Sequence, residues 1–320
     1  MKTLASISLV IAASFAAPAF SAESYPTRPI RIVVGFTPGT TTDITARLLA
    51  DRLTRHLGQN VIVENRPGAA SGLANQLVGR ATPDGYTLLM GTLSLVTSPM
   101  LYRNLPFDPK DVVPVSLLVL AANVICVYPG LPAKSLKELI ELAKAQPGKI
   151  KYGSSGRGSS AFLTLELLKA MAEIDMREIP YKATSQAVVD TMAGQIDVYP
   201  PNIVSAFAML KTGRLRPLAV TSAKRSPALP EIPAVGEVIP GYDATTGIYG
   251  ILVPAQTPKP IIARLEKAIQ AVSKEPAYYE KVQADGAVVV GSTAREYSAY
   301  LQEQHKKWSG LFNRLGVKPE

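Results

Sequence analysis

Ile30-Arg31-Ile32-Val33-Val34-Gly35-Phe36-Thr37-Pro38-Gly39-Thr40-Thr41-Thr42-Asp43 decides how this chain reads. Its first half is a short β-branched apolar run, the mark of a buried strand, and its second half is a turn built from Pro, Gly and Thr. Ile44, Leu48, Leu49, Leu53 and Leu57 then recur at helical spacing, with Arg47, Asp51 and Arg55 largely on the other side. A helix is therefore expected from Thr40 to His56. The cadence repeats: Val61–Glu64 reads as a strand, Asn65-Arg66-Pro67-Gly68 as a turn, residues 72–80 as a helix, and Tyr86–Met90 as a third strand after Pro83-Asp84-Gly85. Such βαβα alternation implies a mostly parallel sheet covered on both faces.

Val112–Tyr128 is a long Val/Leu-rich stretch interrupted by Ala121-Ala122-Asn123, and it reads as a crossing into a second lobe. Beyond it, Ser135-x-x-Glu138 is a capping box that opens a helix stopped by Pro147-Gly148. A strand at Ile150–Gly153, a Gly/Ser loop, a helix over residues 161–172, a strand at Arg177–Ile179 and a helix over residues 185–193 follow. Asp197–Tyr199 and Leu218–Thr221 are the next strand-like pieces, and the four prolines between Lys224 and Pro240 suggest a surface connection. Thr246–Val253 returns as a strand, and three helices, the last opened by Thr293-x-x-Glu296, end the chain. The expected architecture is a two-lobed α/β clamshell. Residues 22–122 and 247–320 form one lobe, residues 123–246 an inserted second, and hinges lie near Ala122–Val124 and Thr246–Ile248.

Composition narrows the chemistry. In 320 residues there are two histidines, His56 and His305, and one cysteine, Cys126. That leaves no thiolate set for a zinc or iron–sulfur centre and no internal disulfide. Met1-Lys2-Thr3, an apolar Ala-rich run from Leu4 to Phe15 and small residues at Ala17, Ala19 and Ser21 have the three parts of a secretory signal peptide over residues 1–21. No cysteine stands at the junction, so no lipid anchor is expected. Loss of Lys2 would bring the net charge of +9 to +8. Lys306-Lys307 carries no aromatic-interleaved basic stripe, so the charge reads as a field for anionic ligands and not for nucleic acid. Cys126 lies in an apolar strand and reads as an inert core thiol.

Three loops follow strands and precede helices, where open α/β sheets bind ligands: Phe36–Asp43, Gly68–Gly72 and Ser154–Ser160. Each offers backbone N–H groups, hydroxyls and the positive end of a helix, a combination suited to an anion, although Ser or Thr before a helix is most often simply its cap. Two enzymatic patterns compete. Gly156-Arg157-Gly158-Ser159-Ser160-Ala161 with Glu178 matches a dinucleotide fingerprint, but an exported protein seldom uses such a cofactor. Gly153-Ser154-Ser155-Gly156 misses the nucleophile elbow by one residue, and both histidines read as surface positions. Asp190 and Asp197, seven apart around Gly194, read as strand-end or surface carboxylates.

The ordered motifs Tyr25-Pro26-x-Arg28-Pro29-Ile30, Val63-Glu64-Asn65-Arg66-Pro67-Gly68-Ala69, Pro83-Asp84-Gly85-Tyr86-Thr87-Leu88-Leu89, Pro180-Tyr181-Lys182 and Gly194-Gln195-Ile196-Asp197 resemble those of the Bug family, the periplasmic receptors of tripartite tricarboxylate transporters. The resemblance runs through Ser154-Ser155-Gly156-x-Gly158-Ser159 and Ala255-x-Thr257-Pro258 to the helix of Trp308. It implies a periplasmic-binding-protein clamshell with mostly parallel sheets and two crossover strands. It further implies capture of a small organic carboxylate for delivery to a membrane permease by a monomer in the periplasm, without catalysis, cofactor or metal. The expected ligand residues are Phe36, Thr37, Gly39, Thr40, Thr41 and Asp43 in the first loop, then Ala70, Ser71 and Gly72 in the second. Thr92 and Ser94 after the third strand, and Ser154, Ser155, Arg157, Ser159 and Phe162 in the second lobe, join them with Lys182 and Asn202. Thr40, Ala70-Ser71-Gly72, Leu95, Ser98, Phe162 and Pro201 depart from the family's usual residues. If Leu95, Phe162 and Pro201 face the cleft, a ligand with a larger apolar body, such as an aromatic carboxylate, is expected, with Arg157 and Lys182 as charge partners. Two other readings are an exported serine hydrolase using Ser155 or Ser154 and a sensor that docks on a membrane histidine kinase.

Overall fold

The computed structural model describes residues 25–319; the signal-peptide expectation lies outside them. The chain runs β1 (Ile30–Val34), α1 (Thr41–Leu57), β2 (Val61–Asn65), α2 (Gly72–Gly79), β3 (Thr87–Gly91), α3 (Ser94–Leu101) and β4 (Val112–Ala121). It continues through β5 (Val124–Val127), α4 (Leu136–Ala145), β6 (Lys151–Ser154), α5 (Ser160–Ala172), β7 (Arg177–Pro180), α6 (Thr184–Met192), β8 (Val198–Tyr199), α7 (Ile203–Leu210) and β9 (Arg216–Val220). It ends with β10 (Gly247–Pro254), α8 (Lys259–Ser273), α9 (Pro276–Ala284), β11 (Val288–Val289) and α10 (Ala294–Arg314).

The strands make two sheets, and each sheet is the centre of one lobe. The first has the order β11-β4-β10-β3-β1-β2 and the second β7-β6-β8-β5-β9. In β1, Ile30, Ile32 and Val34 point into a core shared with Leu49 and Leu53 of α1 and Leu265 and Ile269 of α8. Val33 points the other way, into a core with Ala74 and Val78 of α2 and Tyr297 and Trp308 of α10. Alternation of side chains along a strand sends neighbours to opposite faces, so a strand with helices on both sides must be apolar throughout. Burial of each such side chain stabilises by about 1.5–3 kcal/mol relative to exposure.

The sheets are mixed, which corrects the expectation of mostly parallel ones. Four of the nine strand pairs among the described residues are parallel: β1 with β2 and β3, and β6 with β7 and β8. The others are antiparallel because the crossing strands force it. The chain leaves the first lobe along β4 and returns along β10 beside it in the opposite direction, with Gly247 opposite Ala121 and Pro254 opposite Val112. Only Ala122 and Asn123 separate β4 from β5, so one nearly continuous strand serves both sheets.

Two helices were not anticipated. α3 and α7 are eight residues each; α3 holds Pro99, and α7 has Ser205 as its one polar residue, so neither has the length and alternation that mark a helix in sequence. The proline-rich stretch 224–240 is not a plain surface connection either. Its prolines alternate with buried Leu229, Ile232, Ala234 and Val235, and Arg225 pairs with Glu237 at 2.8 Å to close a 3₁₀ turn at Val235–Glu237. The Thr293/Glu296 capping box forms as expected, whereas Glu138 accepts the Lys134 N–H in place of that of Ser135.

Ala69, Ala70 and Ser71 stand in succession at φ 49°, 48° and 79°, left-handed backbone that L-residues adopt at a cost of about 1–2 kcal/mol each. The constraint is local packing: a Cβ on Gly35 would lie 2.0 Å from Ser71 Oγ, so the end of β1 and this loop fit only because residue 35 has no side chain. Ala→Gly ordinarily destabilises by roughly 0.5–1 kcal/mol. Ala70→Gly is expected to reverse that sign and stabilise by up to about 1 kcal/mol in chemical denaturation. An ordinary Ala→Gly loss would show that residue 70 is not held in the left-handed region.

Candidate functional site

A cavity of about 170 Å³ lies between the lobes, and five helices begin at its wall. From the first lobe come Thr40, N-cap of α1, and Thr92-Leu93-Ser94 at the start of α3. From the second come Ser159, N-cap of α5, Thr184, first residue of α6, and Asn202, N-cap of α7. Strand ends point at the cavity because in an open α/β sheet the strand–helix turns lie just beyond the carboxyl ends of the strands. The positive ends of the helix dipoles are thus directed into one space, and at α1, α3 and α6 no side chain caps the first turn.

The first loop is held by a carboxylate set behind it. Asp43 accepts from the Gly39 N–H at 3.0 Å, from Asn65 Nδ2 at 2.9 Å and from Arg47 at 2.9–3.0 Å, while Asn65 also donates to the Phe36 carbonyl at 3.0 Å. Burial alone would push the Asp43 carboxyl up, but these donors outweigh it and hold it below its usual range. Phe36, Thr37, Gly39, Thr40 and Thr41 line the cavity; Asp43 does not. It positions them.

The second loop lies elsewhere. Ala70, Ser71 and Gly72 do not line the cavity; Ser71 packs on Gly35, and Gly72 faces Pro106 and Phe107. Its place is taken by the turn after β3, where the Thr92 and Ser94 hydroxyls lie 2.9 Å apart.

In the third loop Ser155 and Ser159 line the cavity, and Ser159 also caps α5 by accepting from the Phe162 N–H. Ser154 turns away: its hydroxyl donates to Glu178 and accepts the Gly156 N–H at 2.9 Å. Arg157 stacks over the Phe162 ring at 6.0 Å, Phe162 is core, and Lys182 is exposed. Arg157, Phe162 and Lys182 are all outside the lining, unlike Ser155, Ser159 and Asn202 of the same lobe. Leu95, Ser98 and Pro201 are likewise buried away from the cavity, so the premise for a larger apolar body at those positions does not hold.

Apolar lining exists, from other residues: Val188, Tyr199, Pro200, Met209, Ile248 and Tyr249 join Phe36. Burial holds the Tyr199 and Tyr249 phenols above their usual pKa, so both stay protonated. At the floor, Asn123 and Thr246 meet Ser160 and Asn202. The sequence carried a signal for two of these, since Asn123 interrupts an apolar crossing and Thr246 opens the returning strand. Thr184, Ser185 and Ser205 carried none, because their turns could not be told from ordinary caps. No described charged side chain lines the cavity. A hydrolase finds no base there: His56 bonds Glu275 at 2.6 Å, and neither histidine is in the lining. Among the described residues no His, Cys, Asp or Glu cluster could hold a metal, and no helix is long and apolar enough to cross a membrane.

Behind the third loop, burial raises the Glu178 pKa, partly offset by the Ser154 hydrogen bond, with Glu166 adding to the rise and Arg157 and Lys169 opposing it. A carboxyl whose folded-state pKa exceeds the unfolded value of 4.5 stabilises fully below that value and loses its contribution as pH rises through the folded one. Glu178→Gln is therefore expected to flatten the fall in melting temperature above about pH 4.5 and to raise it near pH 7, read by thermal denaturation across that range. An unchanged pH profile would rule this out.

The family model described as "Tripartite tricarboxylate transporter family receptor" matches residues 45–317. The protein BugT of Bordetella pertussis is 33% identical over 322 residues, covering 99% of this chain and 98% of that one. The solved structure of Rpa4515 from R. palustris with adipate superposes with a TM-score of 0.89 at 32% identity, covering 92% of this chain and 100% of that one. MatC from Rhodopseudomonas palustris with bound malate superposes at 0.83 with 27% identity, covering 90% and 99%.

Proposed function

The chain belongs to the tripartite tricarboxylate transporter receptor family, whose members are periplasmic solute-binding proteins, and we propose that its cavity takes a small organic carboxylate through neutral donors alone. The observation that carries this reading is the meeting of five helix N-termini and a set of hydroxyls in a space lined by no charged side chain. A carboxylate oxygen accepts well from backbone N–H groups at helix starts, and charge-assisted bonds of this kind are about twice as strong as neutral ones. Thr41, Thr42 and Thr92 supply donors from one lobe, and Ser155, Ser159 and Thr184 from the other, while Thr40 shapes its loop by donating to the Thr37 carbonyl. Val188, Tyr199, Pro200 and Met209 receive the ligand's apolar body.

Binding closes the two lobes about the crossings at Ala122–Val124 and Thr246–Ile248, a hinge motion of the kind that strand connections absorb. The loaded receptor then meets a membrane permease of the tripartite tricarboxylate type on the periplasmic side, as a freely diffusing protein. Domain boundaries at residues 122/123 and 246/247 follow from the same two crossings. Two carboxylate-bound relatives, one with adipate and one with malate, support the ligand class.

Thermal-shift titration of the mature protein tests this. A ligand bound only to the native state adds about 2.7 kcal/mol at a hundred times its Kd. Adipate, benzoate or malate is expected to raise the melting temperature, and the neutral adipamide is not. Ser155→Ala should weaken the responding carboxylate roughly 3–10-fold through loss of one hydroxyl donor at the lining. Lys182→Ala, at an exposed position outside the lining, should leave it unchanged. No response to any di-, tri- or aromatic carboxylate would sink the reading.

A further inference from the structure

The Ser154–Ser160 loop does more than face the cavity; it is also one of the places where the lobes touch. Thr97, on α3 of the first lobe, places Oγ1 3.3 Å from the carbonyl oxygen of Gly158 in the second. Tyr102, just past the end of the same helix, donates its hydroxyl to the Arg157 carbonyl at 3.1 Å. Gly158 stands at φ +83°, and a Cβ there would lie 3.2 Å from Leu101 Cδ1 and 3.3 Å from Thr97 Oγ1. A glycine is what lets the loop adopt this backbone and come this near.

Neither Thr97 nor Tyr102 lines the cavity, but both parts they join do: Ser155, Gly158 and Ser159 on the loop, and Leu93 and Ser94 at the start of α3. One short helix therefore bears on the ligand space at its first turn and on the opposite lobe at its last. The Thr97 hydroxyl also lies 3.2 Å from the Leu93 carbonyl in its own helix. When the lobes part, its proton falls back on that partner, and the half-buried Tyr102 hydroxyl turns to water. Opening then leaves no buried donor without an acceptor, which is what a reversible contact requires.

We propose that Thr97 and Tyr102 form a latch that holds the closed state, acting as positioning residues that set how long the ligand stays. The latch rests on the reading that the lobes close on a carboxylate. Loss of one such bond weakens affinity by roughly 2–10-fold, and a contact made only after closure appears in the dissociation rate.

The test uses adipate as probe on the mature protein, with Tyr102→Phe, Thr97→Val and the double variant. The latch predicts faster adipate dissociation in Tyr102→Phe by roughly 2–10-fold, a smaller effect in Thr97→Val because its proton has a second acceptor, and association rates close to wild type. Unchanged dissociation in the double variant overturns the latch. If wild type binds no carboxylate, the functional reading fails instead, and the contact is read without ligand in Thr97→Cys/Gly158→Cys. Mild oxidation of that folded protein should cross-link the lobes and fix the smaller radius in X-ray scattering; a folded double-cysteine protein that stays reduced overturns the latch. If the left-handed backbone at residue 158 prevents that variant from folding, spin labels placed one on each lobe report the closed fraction in Tyr102→Phe. A fraction equal to wild type then overturns it.

Discussion

The two crossings between the lobes are tied to each other by one buried carboxamide. Asn123 lies between β4 and β5, and its Nδ2 is within 2.8–3.3 Å of the hydroxyls of Thr164, Ser160 and Thr246. Its Oδ1 is 3.1 Å from Ser160 Oγ and 3.3 Å from Asn202 Nδ2, and its backbone exchanges hydrogen bonds with Thr221 at 2.8 and 2.9 Å. The outgoing crossing, the returning crossing and the first turns of α5 and α7 thus share one polar node inside an apolar molecule. Buried polar groups are tolerated when each finds a partner, and such networks specify geometry more than they add stability. Here the geometry specified is how the two crossings sit against the first turns of α5 and α7. Gly247 completes it, because a Cβ there would meet Asn202 Nδ2 at 2.4 Å.

That node explains why the cavity has the chemistry it has. Strand ends converge where the chain crosses between sheets, so the helices that follow those strands start there too. The anion-ready feature is a consequence of topology, and the side chains adjust it. Asp43, the one carboxylate close behind the first loop, is turned on the Gly39 N–H, Asn65 and Arg47, where it orders the loop and keeps its charge off the cavity. Glu178 plays the corresponding part behind the third loop through Ser154.

Much of this order was legible in the residues. The strand–turn–helix cadence from Ile30 and the break at Ala121-Ala122-Asn123 led to two lobes and to the first and third loops. Sheet direction was not legible, because β4 and β10 have the same apolar run whether their neighbours are parallel or not. α3 was lost to Pro99 and to its shortness, and with it the contact to Gly158. The second loop misled for a specific reason: Gly68 and Gly72 read as room for a ligand, but the open backbone there accommodates Ser71 against Gly35. Positions inferred from the family's usual residues, Leu95 and Phe162 above all, proved to be core, since a departure in residue type does not say which way a side chain points.

Neutral recognition suits a protein that must give its ligand away. A buried cationic partner would bind a carboxylate firmly, but once the ligand left, the charge would face either an empty cavity or a costly return to water. Hydroxyls and helix N-termini carry no net charge and rehydrate readily when the lobes open. Arg157 shows the alternative being declined: it sits on the very loop that lines the cavity, yet its guanidinium lies over the Phe162 ring outside it. The ligand's own charge then supplies most of the difference between occupied and empty states. Closure is favoured when a carboxylate bridges helix starts from both lobes, and it lapses when none does, because the interlobe hydrogen bonds of Thr97 and Tyr102 can be exchanged for an intrahelical bond or for water. On the proposed reading, capture and release are set by different groups: the helix starts that face the anion, and the Thr97 and Tyr102 contacts that bear on how long it stays.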